Sequence, residues 1–530
     1  MGSPRRVIAL LVAILVVGVL GSVVQTQVSL AALTVGAIDV AVSTRLVLTI
    51  EDAIRFGPVM CAIAAAGLIP ALVLGDRLTR QTRRTPRLMG LALLAAAAMW
   101  CVFTGLGLFT PMPDLVAATA SAAGLAAMCA TGLVGGLVFG KMTAPGVRQG
   151  WNVKTVCLAV ALLAIPGLSF YVMAPAAGGP VDNVNPEDYR VQTIVQDLDR
   201  PWSLAFLPDG RLLVTEMAGR LLAISADGAR SEIAIPDLPT VFAVGGVAGM
   251  MEVAVDPSFA STGWVYLTMS YGDASANGTR LVRGRLVDDI LQDVRVLFSS
   301  TPKATHGNNG GRLAFLPDGT IVLTVGDGLA QIEAQNVANH LGSVVRLDRD
   351  GGTPSDNPRF DPPGAAPELY SIGHRNAQGI VYDPVTSSVL VSEHGPRGGD
   401  ELNVVVAGKN YGWPLVTQGI DYSFANVSPL RHYVGLVDPL MDWTPSIAPS
   451  GLSVYQGSLF DGWTGDLLVP ALKERSIRRV IREHGRIVGE QRLLAEHGQR
   501  IRDVRGAPDG AILVLTDGPQ GKLLRLVPAR

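Results

Sequence analysis

The chain has 530 residues, 48% of them hydrophobic and 17% charged, with a net charge of −2. An ordinary soluble domain carries roughly 25% charged residues, so this composition, with a mean hydropathy of +0.34, excludes a single soluble globule. It also excludes disorder, which needs low hydrophobicity and high net charge, and it leaves no basic surface suited to nucleic acid.

The charge is unevenly distributed. Residues 1–175 hold 12 Lys/Arg against 5 Asp/Glu, a net of +7, so the remaining 355 residues carry −9. All four cysteines (Cys61, Cys101, Cys129, Cys157) lie in the first part, in or beside apolar runs. A free cysteine there behaves as a small hydrophobe. The second part contains none and is long enough to bury its own core.

Five uncharged windows, at 7–25, 57–75, 88–110, 115–140 and 155–175, are about as long as the ~20 apolar residues that cross a bilayer. They predict an all-α membrane domain of about five transmembrane helices over 1–175. Arg5 and Arg6 before the first window also fit a signal peptide, but no clean cleavage site follows, which favours an uncleaved anchor. Arg5 and Arg6, the run Arg77 to Arg87, and Lys141, Arg148 and Lys154 all fall on one side if the spans number five. The positive-inside rule makes that side cytoplasmic. The N-terminus is then inside and everything after the fifth span outside. Segment 26–52, which carries Asp39 and Arg45, is expected as an external or interfacial element; a sixth span there would move the large domain to the cytoplasm. Residues 176–187 have the Gly, Pro and Asn content of a linker.

From 188 onward a unit recurs. It reads PWSLAFLPDGRLLVTE at 201–216, GRLAFLPDGTIVLTVGD at 311–327 and VRGAPDGAILVLTD at 504–517, with looser copies at 251–271, 379–395 and 451–472. Each copy is an apolar strand, a turn built on Pro, Asp or Gly, and a second β-branched strand, which is hairpin chemistry. Six copies over 188–530 predict an all-β six-bladed propeller; a large β-sandwich would not account for the repeated turn.

Function is expected where the repeat is broken. Gly373-His374-Arg375-Asn376 is a polar cluster before a strand, and Glu393 to Glu401 is a Gly-rich acidic loop whose carbonyls and carboxylates suit a hard cation. Lys473 ends the run LLVPALK, and alternation puts Arg500 and Arg502 on one strand face. Singly these residues read as solvated surface. Together, two arginines and a lysine suit a ligand with several carboxylates.

The words PWSLAFLPDGRLLVTE, GHRNAQG, SEHGPRGGDELN, GKNYGWPL, WTPSIAPSG, LLVPALK and GQRIRDVRGAPDG run in order through 190–530. They resemble the soluble-type quinoprotein aldose dehydrogenases, the glucose/sorbosone dehydrogenase family; the resemblance does not reach residues 1–187. It implies a six-bladed propeller holding pyrroloquinoline quinone (PQQ) with Ca²⁺. Lys473, Arg500 and Arg502 would pair with the quinone's carboxylates, Arg375 and Asn376 would lie against its ortho-quinone oxygens, and His394 would touch cofactor or substrate. The carbonyls of Gly395 and Pro396 would bind the Ca²⁺, Ser446 falls at a contact position, and Glu401 and Tyr411 match a second, structural Ca²⁺ site.

The match fails on the substrate side. The family's general base is a His three residues before Gly311-Arg312-Leu313, where this chain has Asn308, and Asn cannot act as a base. His306 lies two residues upstream beside Gly307 and is the candidate substitute, with Asp327 matching the acid that orients the family's His. A substrate-contacting Gln of relatives is also replaced, the local sequence being Gly246-Val247-Ala248-Gly249. Three readings follow: a PQQ dehydrogenase acting on a sugar or alcohol less polar than glucose, a propeller that binds ligand but turns over poorly, and a Ca²⁺-dependent lactonase using His306 or His394. The cationic trio favours the first two. A dehydrogenase on the outer face of a bacterial cytoplasmic membrane would be held by the lipid bilayer and would have membrane quinone as an acceptor.

Overall fold

The computed structural model describes residues 4–33, 40–109, 116–144, 181–361 and 363–529, which form two compact units.

The first unit comprises Met1–Ala176 together with Ile420–Leu430. Its helices are α1 (Pro4–Leu33), α2 (Val42–Arg55), α3 (Gly57–Thr79), α4 (Arg84–Phe109) and α5 (Ala122–Met142). Four of them, α1, α3, α4 and α5, are long and apolar enough to cross a membrane. The expected fifth window, 155–175, lies outside the described residues. Segment 26–52 is divided: its first residues continue α1, and its last belong to the shorter α2. Glycines let α5 approach α4 closely, since a Cβ on Gly136 would stand at the carbonyl of Leu91 and one on Gly132 at that of Ala95. Buried Asp76 gathers Arg87 (2.8 Å), Arg6 (3.1 Å) and Arg80 (3.4 Å). Arg5 donates to the carbonyls of Met142 and Ala144. The basic ends of α1, α3, α4 and α5 therefore meet. Asp52 accepts from Thr26 and from the backbone and side chain of Asn426.

The second unit spans Ala177–Gly419 and Arg431–Arg530. Its strands are, in chain order, β1 (Asp182–Asn183), β2 (Tyr189–Leu198), β3 (Pro201–Phe206), β4 (Leu212–Glu216), β5 (Arg220–Ile224), β6 (Arg230–Glu232), β7 (Met250–Val255), β8 (Trp264–Gly272), β9 (Asn277–Val287), β10 (Ile290–Ser299), β11 (Gly310–Phe315), β12 (Ile321–Val325), β13 (Ser343–Leu347), β14 (Leu369–Ile372), β15 (Ala377–Asp383), β16 (Ser388–Glu393), β17 (Asp400–Val405), β18 (Met441–Trp443), β19 (Ser453–Val454), β20 (Leu467–Ala471), β21 (Ser476–Glu483), β22 (Arg486–Leu493), β23 (Ile501–Gly506), β24 (Ile512–Thr516) and β25 (Gly521–Pro528). They form six sheets, the blades of a propeller. The six repeats supply β3–β4, β7–β8, β11–β12, β15–β16, β19–β20 and β23–β24, a hairpin at one side of each blade. Strands β4, β12, β16, β20 and β24 are almost wholly buried, which is why they read as continuous apolar runs. The three Pro-Asp-Gly turns share one geometry: Gly210, Gly319 and Gly510 take φ of +88°, +87° and +86°. The preceding Asp209, Asp318 and Asp509 each accept a hydrogen bond from the backbone N–H two residues on.

The last blade is closed by strand exchange along the chain, since β2 pairs with β25 beside β24 and β23. Closure removes an open sheet edge. The linker expected over 176–187 ends early. Asp182 and Asn183 pair in parallel with Gln491 and Arg492 of β22, Val184 N–H donates to Arg492, and Asn185 caps the short helical turn Pro186–Asp188. Asn277-Gly278-Thr279 is both a glycosylation pattern and a common turn; here Asn277 is fully buried, bonded to Lys303 and Asp273.

Arg312 sits at the centre, buried and stacked 3.9 Å over Trp202. Its guanidinium meets Glu252 at 2.9 Å and Asp503 at 3.3 Å, and donates to the carbonyls of Gln378 (2.8 Å), Arg502 (3.2 Å) and Ser450. Those partners come from β3, β7, β15, β23 and the segment leading to β19, so one side chain joins all six blades.

Candidate active site

Arg500 lies just before β23 and Arg502 on it. Both bond Asp517, which follows β24: Arg500 Nε to Oδ2 at 2.8 Å, and Arg502 Nη2 and Nε to Oδ1 at 2.8 and 3.1 Å. Burial raises the Asp517 carboxyl, but the two guanidiniums outweigh it and the group titrates below the usual carboxylate range. Arg500 Nη1 also lies 3.5 Å from the carbonyl of Leu472, next to Lys473. Lys473 is tied by its backbone to Ile447, while its exposed ammonium has no hydrogen bond or ion pair to any described residue. Two guanidiniums thus share one carboxylate, and the unpaired Lys473 ammonium belongs to the residue after Leu472.

Arg375 is the third buried element. Its N–H donates to Glu393 at 2.7 Å, and its Nη1 donates to the carbonyls of His394 (3.2 Å) and Gly395 (3.1 Å). The guanidinium lies 5.5 Å from the ring of Trp413. His394 Nε2 is 2.7 Å from the carbonyl of Pro449, so that nitrogen carries the proton. Burial, then Arg375, Arg502 and Arg500, push this imidazole down to about 3.

The 394–400 loop is held by Asp400, which sequence reading placed only among the loop's carboxylates. Its Oδ1 accepts from Gly395 N–H at 2.9 Å, and its Oδ2 from Ser446 Oγ and Ala448 N–H, each at 2.7 Å. Burial lifts its carboxyl to about 6. Ser446 therefore serves Asp400. Asn376 is buried and accepts from Gly310 N–H and Gln378 Nε2, each at 3.2 Å. His374 is fully buried between Ser371 and Glu393 and stacks on Tyr411.

On the other flank stands Asp327, fully buried, its carboxyl raised by burial despite Arg375. Its Oδ1 accepts from Asn308 Nδ2 at 2.7 Å and Leu329 N–H at 2.8 Å, and its Oδ2 from Trp413 Nε1 at 2.8 Å. The expected His306–Asp327 pair is not formed. Asn308 holds that place, its φ of +48° lying in the left-handed region that Asn adopts readily. His306 instead sets its ring edge-on against Phe242, 5.3 Å away.

No group of three or more His, Cys, Asp or Glu among the described residues is arranged to hold a metal. The loop offers carbonyls instead, and two of them, of His394 and Gly395, already converge on a cation, the Arg375 guanidinium. Pro396 is buried beside them. Glu401 accepts from Asn403 at 3.0 Å, and burial with the neighbouring Glu393 raises its carboxyl well above the usual range. The Tyr411 hydroxyl accepts from Val406 N–H and donates to the carbonyl of Val404.

The family profile for Glucose / Sorbosone dehydrogenase matches residues 198–525. The Aldose sugar dehydrogenase YliI of Escherichia coli is 37% identical over 350 residues, covering 65% of this chain and 94% of that protein. The crystal structure of the soluble aldose sugar dehydrogenase from Escherichia coli in the apo form superposes with a TM-score of 0.62, at 37% identity, over 64% of this chain and 99% of that one. The Quinoprotein glucose dehydrogenase B of Acinetobacter calcoaceticus is 27% identical over 435 residues, 66% of this chain and 90% of its own length. With a profile spanning the propeller from β2 into β25, and relatives matched over nearly their whole length, the chain belongs to the glucose/sorbosone dehydrogenase family.

Proposed function

We propose that this protein is a PQQ- and Ca²⁺-dependent dehydrogenase that oxidises an aldose or related alcohol. The observation that carries the reading is the imbalance of charge at Arg500 and Arg502, which share the single carboxylate of Asp517, together with the unpaired ammonium of Lys473, the residue after Leu472, whose carbonyl lies 3.5 Å from Arg500. That set fits a small polyanion, and a tricarboxylate quinone is one. In this reading PQQ, when bound, supplies the hydride-accepting carbonyl. Lys473, Arg500 and Arg502 grip its carboxylates, and Arg375 and Asn376 orient its quinone edge. A guanidinium there stabilises negative charge that develops during reduction. The carbonyls of Pro396 and of Gly395, which also accepts from Arg375, would hold the Ca²⁺ in a loop that Asp400 keeps in shape; hard oxygens suit that ion. His306 accepts the substrate proton once the 305–308 loop turns, Gly307 supplying the freedom.

A second reading has one specific support. Asn308 occupies the place next to Asp327 and cannot accept a proton, which is what a ligand-binding propeller with little turnover would show. A lactonase using His394 is disfavoured, because an imidazole held near pKa 3 is a feeble base at neutral pH.

For location, we propose that the apolar helices anchor the protein in a bacterial cytoplasmic membrane, with the propeller outside and membrane quinone as electron acceptor. The gathering of Arg5, Arg6, Arg80 and Arg87 at one end of the helical unit supports a cytoplasmic assignment for that end.

The test is reconstitution of the detergent-solubilised full chain with PQQ and CaCl₂. Binding is followed by titration, turnover by dye reduction with aldoses, and membrane coupling by reduction of added ubiquinone. Binding with turnover is expected; tight binding with no turnover of any hydroxyl donor would favour the second reading.

A further inference from the structure

The rim around His306 is apolar. Phe242 meets the imidazole edge-on, with centroids 5.3 Å apart. Val247 stands at the tip of a tight turn closed by Val244 and Ala248, and is 47% exposed. Leu329 holds φ at +64°, a region that leucine rarely enters; its N–H is fastened to Asp327. Gly307 runs between the last two, for a Cβ there would stand 3.1 Å from Leu329 Cδ1 and 3.9 Å from Val247 Cγ1. An outlier of this kind persists only where its surroundings impose it, and here it sets an apolar side chain beside the candidate base.

Five backbone carbonyls along this rim are already engaged. Asn309 Nδ2 donates to the carbonyls of Val247 (3.1 Å) and His306 (2.9 Å). Gly328 N–H donates to Asn308 O, Thr305 Oγ1 to Gly328 O, and Lys303 Nζ to Thr305 O. A sugar hydroxyl pressed against this surface would lose its water and gain little in return.

Resting on the dehydrogenase reading, we propose that Phe242, Val247 and Leu329 form a specificity subsite for the non-reacting side of the substrate. The preferred donor is then a lactol or alcohol with few hydroxyls beyond the reacting carbon. Each hydroxyl buried without a partner disfavours binding on the order of tenfold.

The test compares D-glucose with 2-hydroxytetrahydropyran, which keeps the ring and the reacting hemiacetal and lacks the other hydroxyls. The full chain, loaded with PQQ and CaCl₂ in nanodiscs, should show a kcat/KM at least about tenfold higher for 2-hydroxytetrahydropyran. Calorimetry should show 2-methoxytetrahydropyran binding more tightly than methyl β-D-glucoside, a comparison independent of turnover. In Val247→Gln both preferences should shift toward the sugar while PQQ affinity stays the same. Failure to bind PQQ at all would overturn the dehydrogenase reading itself. Normal PQQ binding with tighter binding of the glucoside, or preferences unmoved in Val247→Gln, would overturn the subsite alone.

Discussion

Asn308 gives its side-chain amide to Asp327 at 2.7 Å, within a site where the neighbouring imidazole, His306, turns away toward Phe242. An amide can hold the carboxylate but cannot take a proton from substrate. Placing an imidazole at this position should restore a base already oriented by Asp327. Asn308→His is expected to raise kcat on the order of 10²-fold, measured by dye reduction with PQQ affinity unchanged. His306→Ala should abolish most turnover of the parent protein; unaltered kcat there would remove His306 from the mechanism.

Lys473 separates ligand binding from folding. Its ammonium has no partner among the described residues, so Lys473→Ala should leave thermal stability unchanged. Affinity for PQQ should fall by about 1.5–3 kcal/mol, the scale of a hydrogen bond to a charged group. Titration of PQQ into the variant checks this, and an unchanged Kd would detach Lys473 from the site.

Arg312 should behave in the opposite way. Removing it leaves Glu252 and Asp503 buried with only Arg505 to neutralise them. Arg312→Ala is expected to cost about 3–5 kcal/mol of stability, read as a lowered unfolding midpoint. A midpoint unchanged within error would mean that the blades do not depend on this hub.

Lys303 carries a pH signature. It is buried under Gly328 and bonded to Asn277 and Thr305, and burial lowers its ammonium to about 8 despite the nearby charge of Asp327. The unfolded chain binds this proton more tightly. Stability should therefore rise as pH climbs from about 8 toward the unfolded value of about 10.5, and be lost as pH falls through 8. The amplitude is roughly 3 kcal/mol. Unfolding followed between pH 7 and 10.5 should show this slope, and Lys303→Met should flatten it.

Much of this protein is legible in its amino-acid sequence. The propeller was visible because a Pro-Asp-Gly turn needs glycine at positive φ, and that demand repeats wherever the hairpin repeats. The helices α1, α3, α4 and α5, long and apolar enough to cross a membrane, are legible because an uncharged apolar run of that length stands out in the sequence. Arg500 and Arg502 could be assigned to one face by strand alternation, and both do meet Asp517. Spacing from Gly311-Arg312-Leu313 puts Asn308 at the family's base position, and Asn308 is the side chain that meets Asp327; that His306 rests against Phe242 is decided by the tertiary structure, because spacing along a loop does not say where a side chain packs.

Sequence alone determined the elements whose causes are local: periodicity, turn dihedrals, apolar length and the charge asymmetry between the two parts. Tertiary structure alone decided the partners. Arg312 reads as one polar residue in a strand, yet it bonds the carbonyl of Arg502, 190 residues away, and Asp400 joins two loops that the sequence lists 46 residues apart. Such pairings depend on how the blades close into a ring, because a buried charge takes whichever partner that closure brings within reach, and no pattern of neighbouring residues encodes the distance.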